Sequence, residues 1–405
     1  MQLANPLTLP CGITVKNRFA KSAMSEALGN KEGVPTQALV KVYDRWSRGE
    51  CGLLITGNVM IDPSALGEPN NVVLEDEKHL KMFERWAQSG RKYQTQIWVQ
   101  LNHPGKQSPA FLSPEPVAPS DIPLEGALKA GFKKPRALSI KEIWKLVERF
   151  GRSAELCKKA GFDGVQIHGA HGYLVSQFLS PKHNQRTDEW GGSFEKRSKF
   201  VLEIYRAIRN AVGNEFPISI KLNSSDFQKG GFIEEESACL IRQLSNEGMD
   251  LIEISGGTYE KPTMMGIDSK TQSREAYFSH FAEKVRSEIK SPMMLTGGFR
   301  TTLAMEEALI NHVCDLVGLA RPLALDPDLP KKILSGDRNY KSSVHRLSTG
   351  FKTLDNLSML NITWYEQQIA YLGEGKEPKA DLNPYISILK TLSRLGTAAF
   401  QKRRA

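Results

Sequence analysis

The segment Gly164-Val-Gln-Ile167-His168-Gly-Ala-His171-Gly-Tyr173-Leu-Val-Ser-Gln-Phe-Leu-Ser-Pro181 decides how the rest of the chain is read. Its first four residues form an apolar run that reads as a buried strand. Two imidazoles and a phenol follow within six residues. Such groups can hold a developing oxyanion and deliver a proton. The end of a strand is where a barrel or an open α/β sheet keeps its chemistry.

Outward from this point, short apolar runs alternate with helix-period stretches. Strand candidates are Phe19–Met24, Leu53–Thr56, Gln96–Leu101, Val165–His168, Ile218–Leu222, Leu251–Ser255, Met293–Thr296 and Leu316–Leu319. Helical periodicity fills the gaps at about 36–48, 76–92, 140–160, 195–212, 234–247, 275–289, 302–311 and 326–335. Ser139 stands three residues before Glu142, the spacing of a capping box at a helix start. Eight strands, each followed by a helix, make the count of a (β/α)8 TIM barrel. An open doubly wound sheet would carry a glycine fingerprint after its first strand, and this chain has none there. Residues 6–16 read as a hairpin plugging the barrel's N-terminal end. The segment 102–138, rich in Pro, Ser and Gly, is too long for a simple connection and reads as a lid. The barrel is expected over 1–338. Residues 339–405, with helical periodicity at 361–373 and 384–396, form an appended arm that packs on the barrel or on a partner subunit.

Composition narrows the class. Of 405 residues, 40% are hydrophobic and 24% charged, and no apolar run approaches the ~20 residues of a membrane helix. The five cysteines are scattered with no C-x-x-C pair, which argues against a disulfide framework or thiolate metal site and suits a reducing cytosol. The net charge of +9 is partly local, with Lys376, Lys379, Lys390, Arg394, Lys402, Arg403 and Arg404 near the C-terminus. These charges lack the regular aromatic-and-basic interleaving of a nucleic-acid surface, so a solubilising tail is the expectation.

Polar groups cluster just past the strands. They are Ser25 after strand one, Thr56-Gly57-Asn58 after strand two, Gln100 in strand three, Lys221 in strand five and Ser255 in strand six. Strand seven ends in Thr296-Gly297-Gly298, and strand eight runs Gly318-Leu-Ala320-Arg321. Those last two place bare backbone amides and one guanidinium where barrels commonly hold phosphate.

The run His-Gly-Ala-His-Gly-Tyr-Leu…Phe-Leu-Ser-Pro, continuing through Asn184-Gln-Arg186-Thr-Asp188 to Gly191-Gly-Ser193, resembles the old yellow enzyme family of FMN-dependent ene reductases. So do Lys16-Asn17-Arg18, Gln100-Leu-Asn-His103-Pro-Gly105 and Ala320-Arg-Pro-Leu; the match covers roughly residues 3–335. The resemblance implies an FMN across the barrel mouth, reduced by NADH or NADPH in ping-pong fashion. Gln100 would then meet the flavin's pyrimidine edge, and Lys221 would place positive charge near N1 and O2. Ser25 would approach O4 and N5 beside the backbone of Gly57 and Asn58. Gly297, Gly298, Gly318, Ala320 and Arg321 would hold the phosphate end. His168 and His171 would bind the carbonyl oxygen of an electron-poor alkene, and Tyr173 would protonate Cα. No nucleic acid, membrane or metal is implied; a homo-oligomer is compatible.

Rival readings exist for each group. His168 and His171 could be zinc ligands, although no carboxylate or thiol lies at a suitable nearby spacing. They could also be buried histidines satisfied by backbone, and Tyr173 an ordinary core aromatic. Lys221 could be a Schiff-base amine of a lyase, or the whole a non-catalytic flavin-binding barrel. Arg186 and Arg197 read as ties for the loop after strand four, paired with Asp188 or Glu195. Departures from the family pattern are Lys221 where Arg is commoner, Ser25 in place of a branch's Cys, Ala27 in place of Tyr and Asn102 in place of a bulky aromatic. No cysteine follows Cys314, so the cluster-bearing relatives are not matched.

Overall fold

The computed structural model describes residues 1–263, 275–345, 347–351, 354–355 and 359–395. Eight parallel strands form a closed ring: β1 (Phe19–Lys21), β2 (Leu53–Met60), β3 (Gln96–Asn102), β4 (Gly164–Gly169), β5 (Ile218–Asn223), β6 (Leu251–Ser255), β7 (Met293–Thr296) and β8 (Leu316–Leu319). Closure is made by β8 against β1, with Val317 opposite Phe19 and Leu319 opposite Lys21. The crossovers carry α1 (Gln37–Arg48), α2 (Leu80–Arg91), α3 (Ile140–Lys159), α4 (Phe194–Val212), α5 (Glu234–Asn246), α6 (Ser279–Arg286), α7 (Thr302–Ile310) and α8 (Leu329–Leu334). The protein is thus a (β/α)8 barrel, as the strand count required. Expected β1 ran to Met24; it ends at Lys21, with the Ser22 N–H making a last bond to the Leu319 carbonyl and the Ser22 hydroxyl facing Glu253 inside the barrel.

Local signals explain the helix starts. Ser139 and Glu142 close the capping box of α3, and the Thr36 hydroxyl accepts the Leu39 N–H at the head of α1. Each helix buries one stripe against the strands; on α3 it is Ile143, Leu146, Val147, Phe150 and Ala154.

Inside the barrel, polarity changes with height. The strands Leu7–Thr8 and Thr14–Val15 pair antiparallel, forming the expected hairpin. Its Leu7, Leu9 and Val15 pack on Ala20, Leu53, Trp98, Leu251, Met294 and Leu316, closing the bottom with an apolar plug. Above that plug the inward side chains turn polar.

The lid segment holds a small parallel pair, Val117–Ala118 with Arg136–Ala137. Its Leu124 and Phe132 pack on Tyr173 and Tyr259. Beyond the barrel, α9 (Leu360–Gly373) lies on α1, and α10 (Pro384–Leu395) lies on α9. Leu360, Trp364 and Ile369 join the barrel's outer core. Gly373 is needed at that crossing, since a Cβ there would come within 3.0 Å of the Ala38 side chain. Lys402, Arg403 and Arg404 lie outside the described residues.

The loop after β4 is tied as anticipated by Arg186, which pairs with Asp188 and donates to the carbonyls of Pro119 at 2.9 Å and Leu138 at 2.6 Å. Arg197 is a correction. It reaches Glu236 on α5 and the carbonyls of Leu179 and Gly192, not Glu195, because its side chain is buried while Glu195 faces solvent.

Candidate active site

A cleft opens at the C-terminal ends of the strands. Ser25, Asn58, Gln100, His168, His171, Tyr173, Lys221 and Arg321 all line it. Eight of the thirteen residues expected from sequence therefore meet in one place.

Its floor is a buried polar chain. Gln100 Nε2 donates to Gln166 Oε1 at 2.7 Å, and Gln166 Nε2 donates to Glu253 Oε2 at 2.9 Å. Glu253 pairs with Lys221 at 3.0 Å and accepts from Ser22; Lys221 Nζ also donates to Ser22 Oγ at 3.0 Å. Complete burial alone would raise the Glu253 carboxyl, but the Lys221 charge and the Ser22 hydroxyl together hold it below the usual range. Period-two alternation on β3, β4, β5 and β6 points these side chains inward, with Gln100 opposite Gln166 and Lys221 opposite Glu253 in the strand register. Lys221 Nζ is committed to Glu253 and Ser22, an ion-paired geometry rather than that of an exposed nucleophile.

One wall is the β4 segment. His168 Nδ1 accepts the Ala170 N–H at 3.3 Å, which leaves Nε2 as the protonated, donating nitrogen. The His168 and His171 rings meet edge to face with centroids 5.3 Å apart, and His168 meets Tyr173 at 4.7 Å. His171 has a φ of 62°, a left-handed conformation fixed by its N–H to Asn223 Oδ1 and its Nε2 contact with Ser255 Oγ at 2.9 Å. The Tyr173 phenol meets the Tyr259 phenol and the Asn58 amide, the latter at 3.4 Å.

The remaining five expected residues lie outside the cleft lining. The Gly57 N–H is turned away, donating to Glu26 Oε1 and Tyr43 Oη at 3.2 Å each. Gly318 has a packing reason to be glycine: a Cβ would fall 1.8 Å from Thr296 Oγ1. Tyr277 and Phe278 lie across Gly297 and Gly298, whose φ values of 130° and 87° favour glycine regardless of any anion. Ala320 stands at the start of the short helix Arg321–Leu325.

Several groups were not anticipated. Tyr259, just beyond Ser255-Gly-Gly257, lines the cleft, as do Asn361, Ile362 and Tyr365 of α9. Ser25 Oγ is shared between Glu68 and Glu366, the latter at 2.6 Å. Position after strand six was a usable signal for Tyr259. For α9 the only signal was a helix with little amphipathicity, the mark of burial on more than one side. Beneath the lid, Lys106 Nζ contacts His183 Nδ1 at 2.9 Å, and His183 Nε2 faces Glu260 at 3.3 Å.

A closed parallel barrel with an interior cation and a cluster of hydrogen-bond donors at its mouth is compatible with a flavin-dependent oxidoreductase, among the many enzymes built on this fold. Residues 2–339 match the NADH:flavin oxidoreductase / NADH oxidase family, and the chain belongs to it. It is 38% identical over 357 residues to the NADH-dependent flavin oxidoreductase iliE of Hypocrea jecorina, covering 81% of this chain and 88% of that one. To the NADH-dependent flavin oxidoreductase iccE of Talaromyces variabilis it is 35% identical, covering 86% and 90%. Among solved structures, morphinone reductase in complex with tetrahydroNAD superposes with a TM-score of 0.71 at 25% identity, covering 84% of this chain and 92% of that one. The protein is therefore an enzyme of flavin-dependent oxidoreduction, with FMN as cofactor and a nicotinamide as reductant. No helix among the described residues is long and apolar enough to cross a membrane.

Proposed function

We propose that the enzyme reduces the carbon–carbon double bond of electron-poor alkenes, such as enones, enals and nitro-activated compounds. The observation that carries this reading is the convergence of His168, His171 and Tyr173 at the cleft that also contains Lys221. FMN, when bound, supplies a hydride at N5 after reduction by the nicotinamide.

The residues present fit that cofactor. Asn58 Oδ1 is buried without an intramolecular partner among the described residues, an unmet acceptor suited to a ring N–H. Gln100 commits one amide N–H to Gln166 and keeps its carbonyl for the pyrimidine edge. Lys221 lies on the side suited to the flavin's N1, and of the residues expected at the phosphate end Arg321 is the one that lines the cleft. Ser25 borders the O4 and N5 edge, near Gly57.

His168 Nε2–H and the His171 ring bind the substrate's carbonyl or nitro oxygen. Donors fixed in advance stabilise the charge that gathers there as hydride arrives at Cβ. Tyr173 gives its proton to Cα, a role for which a phenol O–H is a suitable general acid. Buried contacts to Tyr259 and Asn58 fix its direction. Reduction of 2-cyclohexenone by the purified FMN-loaded protein is the test. The His168→Ala/His171→Ala double variant is expected to lose that turnover, and a rate equal to wild type would rule out the oxyanion site.

A further inference from the structure

We infer that α9, which lies beyond the residues matching the family, is a working part of the cofactor rim, so that its docking and flavin binding are coupled. The inference rests on the reading of the cleft as the FMN site.

Two contacts carry it, one at each side of the mouth. At the first, the Ser25 hydroxyl is held between Glu68 and Glu366. Glu68 belongs to a rigid loop: Asn71 Oδ1 accepts the Gly67 and Glu68 N–H groups at 2.9 Å, and Asn71 Nδ2 donates to Glu68 Oε1 at 3.1 Å. Glu366 comes instead from α9, so the rotamer of Ser25 is shared between the barrel and the arm. Both carboxyl groups are buried, at 2% and 5% exposure, and each is in reach of the Ser25 hydroxyl. At the second, the Arg321 guanidinium lies over the Tyr365 ring with 6.0 Å between its carbon and the centroid. Tyr365 also lines the cleft, together with Asn361 and Ile362 one turn earlier on the same face.

Both Ser25 and Arg321 are thus cofactor-side residues whose positions depend on a helix from outside the barrel. Glu366 and Tyr365 are positioning residues, acting through Ser25 and Arg321. Docking of α9 then pre-arranges the site, and by linkage a bound flavin must favour the docked helix by the same factor.

The full-length protein tests this in two ways. Hydrogen exchange of backbone amides 360–373 is compared with and without FMN, and exchange is expected to slow on loading. The FMN dissociation constant, read from quenching of flavin fluorescence, is expected to rise about tenfold or more in Glu366→Leu, the scale of a lost hydrogen bond to a charged group. Glu366→Gln, which keeps an oxygen for the Ser25 hydroxyl and the shape of the helix, is expected to lose less. Adding Glu366→Leu to Ser25→Ala should weaken binding no further than Ser25→Ala alone, an outcome that general damage to the arm does not produce. Tyr365→Leu should weaken binding while Tyr365→Phe, which keeps a ring under Arg321, should restore it. Additive losses in the double variant, or α9 exchange and FMN affinity indifferent to each other, would overturn the coupling while leaving the cleft assignment intact. A wild-type chain that takes up no FMN would overturn both.

Discussion

Replacing Glu253 with Gln removes one negative charge from the centre of the barrel with almost no change in volume. The Lys221–Glu253 pair is 3.0 Å apart, with side chains 4% and 0% exposed. Water cannot take over when one partner is neutralised. Removing one partner of a buried pair costs about 3–5 kcal/mol. The glutamine still bonds Gln166 or Ser22, so about 3 kcal/mol is expected here, a large fraction of a typical total of ~5–15 kcal/mol. With a urea m-value of about 3 kcal/mol/M, the unfolding midpoint of the FMN-free variant falls by about 1 M at neutral pH. The pH dependence gives a second check. The Glu253 carboxyl titrates below its ordinary range when folded, so its contribution is complete above the unfolded value of ~4.3 and fades as pH falls through the folded one. Wild-type and variant midpoints should therefore converge in acid. FMN should narrow the gap at neutral pH, because the bound flavin offers Lys221 a new electron-rich neighbour. An unchanged midpoint at neutral pH would refute the claim that the floor is a charged, mutually dependent chain.

Three further outcomes are expected. Tyr259→Phe removes the second phenol from Tyr173 and should lower kcat about five- to tenfold, the scale of one hydrogen bond, with KM less affected in steady-state alkene reduction. Burial pulls Lys106 down to about 8 against an unfolded value of ~10.4, so its drag on stability is full below pH ~8 and is relieved as pH rises to ~10.4. Urea midpoints of Lys106→Met should lack that rise, and parallel wild-type and variant curves would count against it. Gly318→Ala must push Thr296 aside from a 1.8 Å clash and should destabilise the barrel by about 1–3 kcal/mol in thermal unfolding, whether or not FMN is present.

Much of this was legible because barrel chemistry repeats with the strand count. Strands β3 to β8 fell where apolar runs fell, β2 ran on from the expected Thr56 to Met60, and β1 to β5 and β8 each delivered a polar residue to the cleft while β7 delivered none. The β4 motif was legible as chemistry because His168, His171 and Tyr173 sit on one short turn, where local sequence is local geometry. Gly57, Gly297, Gly298 and Gly318 were harder, since a glycine required by a neighbour such as Thr296, or by a positive φ, looks the same in sequence as one bared for an anion. The pairing of Arg197 with Glu236 and of Ser25 with Glu366 could not be read at all. Those partners are 39 and 341 residues apart, and only packing brings them together. The polar floor was half visible: Gln100 and Lys221 stood out as polar residues in apolar strands, but Gln166 and Glu253 became meaningful only as their partners.

The account stands most directly on the separation of the two half-reactions of Tyr173→Phe in anaerobic stopped flow. Reduction of the bound flavin by NADH needs no proton from this phenol and should stay within a few-fold of wild type. Reoxidation by 2-cyclohexenone should slow by about 10²-fold or more, the usual contribution of a placed general acid. Reoxidation at the wild-type rate would contradict the assignment of Tyr173 as the proton donor and, with it, the proposed use of the β4 cluster.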